Sequence, residues 1–195
     1  MMDDKRFPAS QATRLDNPER LLWLPPGEVI GALAVSSGDK IADVGAGTGY
    51  FSLPLSSAVG AQGTVYAVDG QSEMLTWLRG KLDKAEFNNI ELIHAEANQI
   101  GLPASGCDRF FLANVWHEIN DRAAVLLEAR RVLKKRGRIA ILDWRPDVEA
   151  APGPPLAHRI APADAVREMR LAGFELLTSA GIGKYSWMIQ GKKVQ

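Results

Sequence analysis

From residue 39 onward, short apolar runs alternate with stretches whose apolar residues recur every three to four positions. The runs 40–44, 64–69, 90–94, 108–113 and 138–144 read as strands, being short, β-branched or aromatic and bounded by glycine or charge. Between them, 50–58 reads as a helix. So does the stretch behind Ser72, taken as a cap, in which Met74, Leu75, Leu78 and Leu82 share a face. A third helix opens at Asp121 and turns Val125, Leu126, Ala129, Val132 and Leu133 inward. Such alternation predicts a parallel sheet with helices on both faces. After a helix over 162–172, the runs 174–182 and 184–190 read as two strands joined at Gly183, a connection too short for anything but antiparallel pairing. The expected fold is α/β: a doubly wound, mainly parallel seven-stranded sheet with a C-terminal antiparallel hairpin.

Upstream, residues 1–16 carry no clear period and read as an arm. Asn17-Pro18-Glu19 has the form of an N-cap followed by proline at the first helical position, and Pro25-Pro26-Gly27 introduces a helix over 28–35. Four prolines punctuate a long loop over 146–160. At 195 residues the chain suits one domain spanning 1–195, with the arm and cap helices (1–36) inside it. A 46% hydrophobic, 24% charged composition excludes a disordered chain. Lys+Arg (23) equals Asp+Glu (23), which argues against bulk electrostatic capture of nucleic acid. Cys107 is the sole cysteine, so neither an intrachain disulfide nor a cysteine-based zinc site can form. No run has the length of a membrane span and the start has acids where a signal peptide needs a basic region, so a cytoplasmic location is expected.

The sharpest chemical feature is Asp43-Val44-Gly45-Ala46-Gly47-Thr48-Gly49-Tyr50, set where the first strand turns toward a helix. Glycines at alternate positions let a ligand lie against the backbone. The pattern is G-x-G-x-G, with Tyr50 in the slot where a dinucleotide loop has its third glycine. Asp43 just before the loop would repel a pyrophosphate and suits a cationic ligand. Asp69 ends the second strand, where an acid can accept both hydroxyls of a ribose.

At these residues the chain resembles the class I S-adenosylmethionine-dependent methyltransferases. The resemblance runs from about Pro18 to Lys193 and is carried by IADVGAGTGYFS, VYAVDGQSEML, FFLANVWHEI, RRVLKKRGRIAILDW and AGFELL, in that order. Within that class it is most similar to a small bacterial group with His-Glu after the fourth strand, and Asp-Trp then Gly-Pro-Pro after the fifth. It departs from the usual Pro-Gly-Gly at Lys135-Arg136-Gly137, in a turn. The resemblance implies a Rossmann-like methyltransferase fold and S-adenosyl-L-methionine as cofactor. It further implies that Gly45, Ala46, Gly47 and Gly49 shape the cofactor loop, that Asp43 lies near the methionine amino end, and that Asp69 with Gly70 holds the ribose. Glu96 and the Ala97 backbone would meet the adenine edge, or Asn98 if that stretch slides, with Met74 against its face. Asn114 would lie by the methionyl moiety.

His117-Glu118 follows the fourth strand, but His-Glu-Ile-Asn-Asp lacks the second histidine of a zinc protease motif, and no metal is expected. Ligands bind at the carboxyl ends of parallel strands, which puts Trp116, His117, Glu118, Asp143 and Trp144 at the acceptor side. His117 titrates in the range of a general base. His158 and Arg159 join these candidates through the long loop. No Pro-Pro-Tyr-like stretch follows the fourth strand, and Cys107 lacks the preceding proline of a cytosine-C5 nucleophile. The expected reaction is therefore methyl transfer to a small-molecule acceptor, without membrane or nucleic-acid partners, with a homodimer as the candidate assembly. The competing readings are a cofactor-binding regulator without catalysis and a nucleic-acid or protein methyltransferase.

Overall fold

A computed structural model of the chain describes residues 5–85, 87–149 and 151–194. Residues 1–4 of the expected arm and residue 150 of the long loop lie outside the described residues. The elements run as a 3-10 segment (Ala9–Asp16), α1 (Arg20–Trp23), α2 (Pro26–Leu33), β1 (Lys40–Val44), α3 (Ser52–Val59), β2 (Thr64–Asp69), α4 (Ser72–Leu82), β3 (Ile90–His94) and β4 (Cys107–Ala113). A short 3-10 turn (Trp116–Glu118), α5 (Arg122–Val132), β5 (Leu133–Trp144), a second turn (Leu156–His158), α6 (Pro162–Leu171), β6 (Phe174–Ile182) and β7 (Ser186–Lys193) follow.

One seven-stranded sheet has the order β3-β2-β1-β4-β5-β7-β6. Strands β1 to β5 pair in parallel, and β7 lies antiparallel between β5 and β6. Strand alternation divides the core in two. Phe110, Leu112, Ile139 and Ile141 join Val125, Leu126 and Met169 of α5 and α6 on one face. Phe111, Ala113, Ala140 and Leu142 join Val29, Leu33, Leu55 and Val59 of α2 and α3 on the other. A sheet covered on both faces explains why the parallel strands read as nearly unbroken apolar runs.

Local differences from the sequence reading have physical causes. Helix α3 starts at Ser52 because Gly49, at φ +86°, keeps the chain turning through Phe51. Helix α2 stops at Leu33, where Ala34 adopts a left-handed conformation at φ +50°. Ser72 does not cap α4: it is the first helical residue, and the Gln71 amide preceding it is held instead by Asp69 Oδ1 at 2.9 Å. Strand β5 begins earlier, at Leu133, through an irregular stretch. Between the pairs Cys107↔Leu133 and Arg109↔Arg138, β4 advances two residues while β5 advances five.

The β6–β7 turn braces α1 and α2. Lys184 N donates to the Trp23 carbonyl at 2.8 Å, and Gly183 N donates to Glu28 Oε1 at 3.1 Å. Gly183 sits at φ +56°, and a Cβ there would lie 2.4 Å from the Trp23 oxygen. Gly183→Ala is therefore expected to destabilise the protein by about 1–3 kcal/mol, from left-handed strain and a backbone clash that side-chain motion cannot relieve. Urea unfolding of the two proteins checks this; matching midpoints and slopes would refute it.

Candidate active site

The doubly wound order reverses between β1 and β4, and there the chain leaves the two carboxyl ends in opposite directions, opening a crevice. A cavity of about 760 Å³ occupies it. The glycine loop forms its floor. Gly45, Gly47 and Gly49 have φ of +75°, +55° and +86°, the left-handed region that glycine enters without penalty. Asp43, Gly45, Ala46 and Gly47 line the cavity, as do Asp69, Gly70 and Met74 from β2 and the start of α4. Glu96, Ala97 and Asn98, after β3, also line it, so both registers considered for that stretch reach the same wall. Gly49 does not: its missing Cβ makes room for Leu78 Cδ1, 2.4 Å from where a Cβ would stand. Its role in this geometry is packing of loop on helix.

Two buried acids stand side by side at the floor. Asp69 Oδ2 accepts from Gly47 N at 2.8 Å, tying the end of β2 to the loop. Asp43 is 2% exposed and accepts from Ser52 Oγ at 2.6 Å. Burial pushes the Asp43 carboxyl up to about 6; the Ser52 hydrogen bond and the Arg20 charge oppose the rise, and Asp69 adds to it. Burial also raises Asp69, against the two amides it accepts from. Asn114, at φ +57°, ends β4 on the cavity wall, with its Oδ1 buried and unpartnered.

On the other side, Asp143 at the end of β5 is fully buried. It accepts from His117 N at 2.7 Å and Trp144 N at 2.8 Å, and its Oδ1 lies 2.8 Å from His117 Nδ1. Asp143 therefore stands behind His117 and does not line the cavity, which corrects the acceptor-side place expected of it from its strand-end position. His117, Glu118, Trp144 and His158 do line it. Glu118 Oε1 lies 3.8 Å from His117 Nε2 and accepts from Phe7 N at 3.1 Å. Burial alone would lower His117, but the Asp143 hydrogen bond and charge, with Glu118, carry it above its ordinary value. Burial pushes Glu118 up to about 7.

Two further expectations about the acceptor side are corrected. Trp116 is wholly buried in the core beneath the turn, because the 3-10 turn points it inward and His117 outward. Arg159 is a loop clamp: Nε donates to Pro154 O at 3.0 Å, and Nη1 to Arg145 O and Val148 O at 3.0 and 2.6 Å.

Sequence reasoning named no site residue in the N-terminal segment, which builds one wall of the cavity. Phe7 O accepts from Gln71 Nε2, Arg6 pairs with Glu96 at 3.0 Å, and Asp16 accepts from Thr48 Oγ1 and Lys81 Nζ at 2.7 and 2.6 Å. It also missed Arg20, 8% exposed on the cavity wall, its guanidinium 3.9 Å over the Tyr50 ring. The available signal was an arginine inside an otherwise apolar turn, Leu21-Leu22-Trp23-Leu24.

A crevice with a glycine floor, paired acids and a sheet of this order defines a Rossmann-like α/β ligand-binding protein. The comparisons with known proteins narrow the class. A family model described as a methyltransferase domain matches residues 42–141. The structure superposes on that of a SAM dependent methyltransferase from Aquifex aeolicus with a TM-score of 0.92 and 31% identity, covering 97% of this chain and 100% of that one. The chain is 31% identical over 116 residues to a demethylmenaquinone methyltransferase of Listeria welshimeri (60% of this chain, 49% of that protein). It is 32% identical over 118 residues to a ubiquinone/menaquinone biosynthesis C-methyltransferase of Francisella philomiragia (60% and 47%). The chain thus spans about half the length of the curated relatives it matches. It belongs to the methyltransferase-domain family of S-adenosylmethionine-dependent enzymes.

The residues present fit that cofactor on their own chemistry: a cation-favouring pair of acids, a glycine backbone lining the cavity at Gly47, and a buried acceptor on Asn114 left without a partner. Asp43 yields a test on the protein alone. The folded state keeps the Asp43 proton up to about pH 6, whereas the unfolded chain releases it near 3.8. The native state binds the extra proton in that window, so this carboxyl makes stability fall as pH rises through it. Asp43→Asn should remove that fall, leaving the variant more stable than wild type at pH 7 by about 3 kcal/mol relative to the difference at pH 3.5. Urea titrations at both pH values measure it; a difference that does not change with pH would contradict it.

Proposed function

We propose that this protein transfers a methyl group from S-adenosylmethionine to a small aromatic acceptor bearing an ionisable hydroxyl, with His117 as general base. The observation that carries this reading is the His117–Asp143 pair, with its ring on the same cavity wall system as the glycine loop. Bound S-adenosylmethionine would supply a methyl group on a cationic sulfonium. Asp69 would accept from the ribose hydroxyls, Asp43 would face the ammonium, and Glu96, Ala97 and Met74 would surround the adenine. The remaining work falls to orientation and exclusion of water.

On the acceptor side, Nδ1–H of His117 donates to Asp143, which leaves Nε2 as the proton acceptor of the neutral ring. Nε2 would take the hydroxyl proton of the acceptor, concentrating electron density on oxygen and on the ring carbons beside it. Aromatic and proline side chains supply an apolar surface for such a ring: Trp23 and Trp144 lie 5.2 Å apart, next to Pro154 and Pro155. The relatives named for demethylmenaquinone and for quinone C-methylation favour an acceptor of the quinol class. A methyl-transfer assay with labelled S-adenosylmethionine and a soluble naphthoquinol tests the whole reading; stable cofactor binding without turnover on any hydroxyarene would defeat it.

Asp69→Ala should weaken S-adenosylhomocysteine binding by about 1.5–3 kcal/mol through loss of charge-assisted hydrogen bonds. Calorimetry with unaltered affinity would remove Asp69 from the ribose role. His117→Ala should keep cofactor affinity and lose about 10²–10⁴ in turnover. Because Asp143 raises His117, the wild-type rate should still climb with pH above the ordinary histidine range, as the ring loses its proton. Asp143→Asn should move that limb to lower pH while lowering the plateau. A pH–rate profile identical in the Asp143 variant would sink the pairing.

A further inference from the structure

Arg20 is a buried cation on the cavity wall with no counter-ion bonded to it among the described residues. Its Nη1 donates to the Leu15 carbonyl at 3.2 Å, its plane covers Tyr50, and its Nε has no partner. Among the described residues no carboxylate lies within ion-pair distance of it. The two acids that act on it electrostatically, Asp16 and Asp43, are engaged elsewhere: Asp16 with Lys81 and Thr48, Asp43 with Ser52. Burying a charge without a partner is costly, and a guanidinium fork matches a carboxylate in shape and in hydrogen bonds.

We propose that Arg20 seats the α-carboxylate at the amino-acid end of the cofactor, opposite Asp43 on the ammonium. The assignment rests on the cofactor reading above and adds to it the residue that holds the cofactor's negative end. Two features favour the cofactor as the source of the carboxylate. Arg20 stacks on Tyr50, the residue that follows the glycine loop, and acts on Asp43, the residue that opens it. An amino acid end also carries both charges at one carbon, which is what a buried cation beside a buried acid would receive.

The test compares S-adenosylmethionine with its decarboxylated form, which keeps sulfonium, amine and adenosine and lacks only the carboxylate. Calorimetry on the full chain should show the wild type binding the intact cofactor on the order of 10- to 100-fold more tightly. Arg20→Gln should lose that preference by weakening the intact cofactor alone, and Arg20→Lys should keep part of it. Equal affinity of the wild type for both compounds overturns the proposal, and that readout needs no variant to fold. Full preference retained in Arg20→Gln overturns it as well, including the case in which only the acceptor KM rises and the carboxylate recognised is the acceptor's. Binding of neither compound by the wild type would remove the cofactor reading itself, and the Arg20 assignment with it.

Discussion

Strand β1 is hydrogen-bonded in parallel on both sides, to β2 and to β4. A chain that leaves a central strand and must build parallel neighbours in both directions has to depart to opposite faces of the sheet. The divergence leaves a gap that no side chain of the sheet itself can fill. Asp43 in β1 pairs with Ala67 and Phe111, so the register sets Asp43 near the end of β2, where Asp69 stands, and near the end of β4, where Asn114 stands. The concentration of buried polar groups at one edge of the sheet follows from this topology.

The chemistry at that edge is divided between two shells of backbone. Close to β1, the loop amides and the Asp69 carboxylate hold one another, as in the Gly47 contact at 2.8 Å. Further along the sheet, the buried Asp143 receives two backbone amides and faces a ring nitrogen. Its Oδ1 faces Nδ1 of His117, and that contact governs which ring nitrogen is turned to the cavity. Asp43 accepts from one side-chain donor, too little to offset its burial, which pushes its carboxyl up to about 6.

The sequence made most of this frame legible. β1, β2 and β3 occupy 40–44, 64–69 and 90–94 as their apolar runs imply; β1 and β2 lie inside the sheet and are largely buried, while β3 at its edge exposes Glu91 and His94. The turn at Gly183 and the antiparallel pairing of its flanks were legible from length alone. Side-chain direction at the ends of strands was not. Trp116 and His117 are adjacent, and only the 3-10 turn decides that one enters the core and the other faces the cavity. Asp143 and Arg159 sit near the crevice in sequence terms, yet Asp143 turns to the His117 ring and two backbone amides, and Arg159 to backbone carbonyls. Arg20 and residues 5–16 were opaque because their partners, such as Tyr50, Gln71 and Lys81, are distant in sequence and follow no period.

The wall formed by residues 5–16 differs in kind from the sheet behind it. Its 3-10 segment buries only Ala12, so little apolar area fastens it. Its fastenings include the partly exposed ion pairs of Arg6 with Glu96 and Asp16 with Lys81, two hydrogen bonds to Gln71, and one each to Glu118 and Thr48. Pairs of that exposure contribute roughly 0–1 kcal/mol each and are screened by salt. The wall therefore opens locally at a small fraction of the cost of unfolding the sheet. Ionic strength becomes a handle on traffic: added salt loosens the wall and speeds the exchange of whatever the cavity holds, while the folded core beneath stays intact.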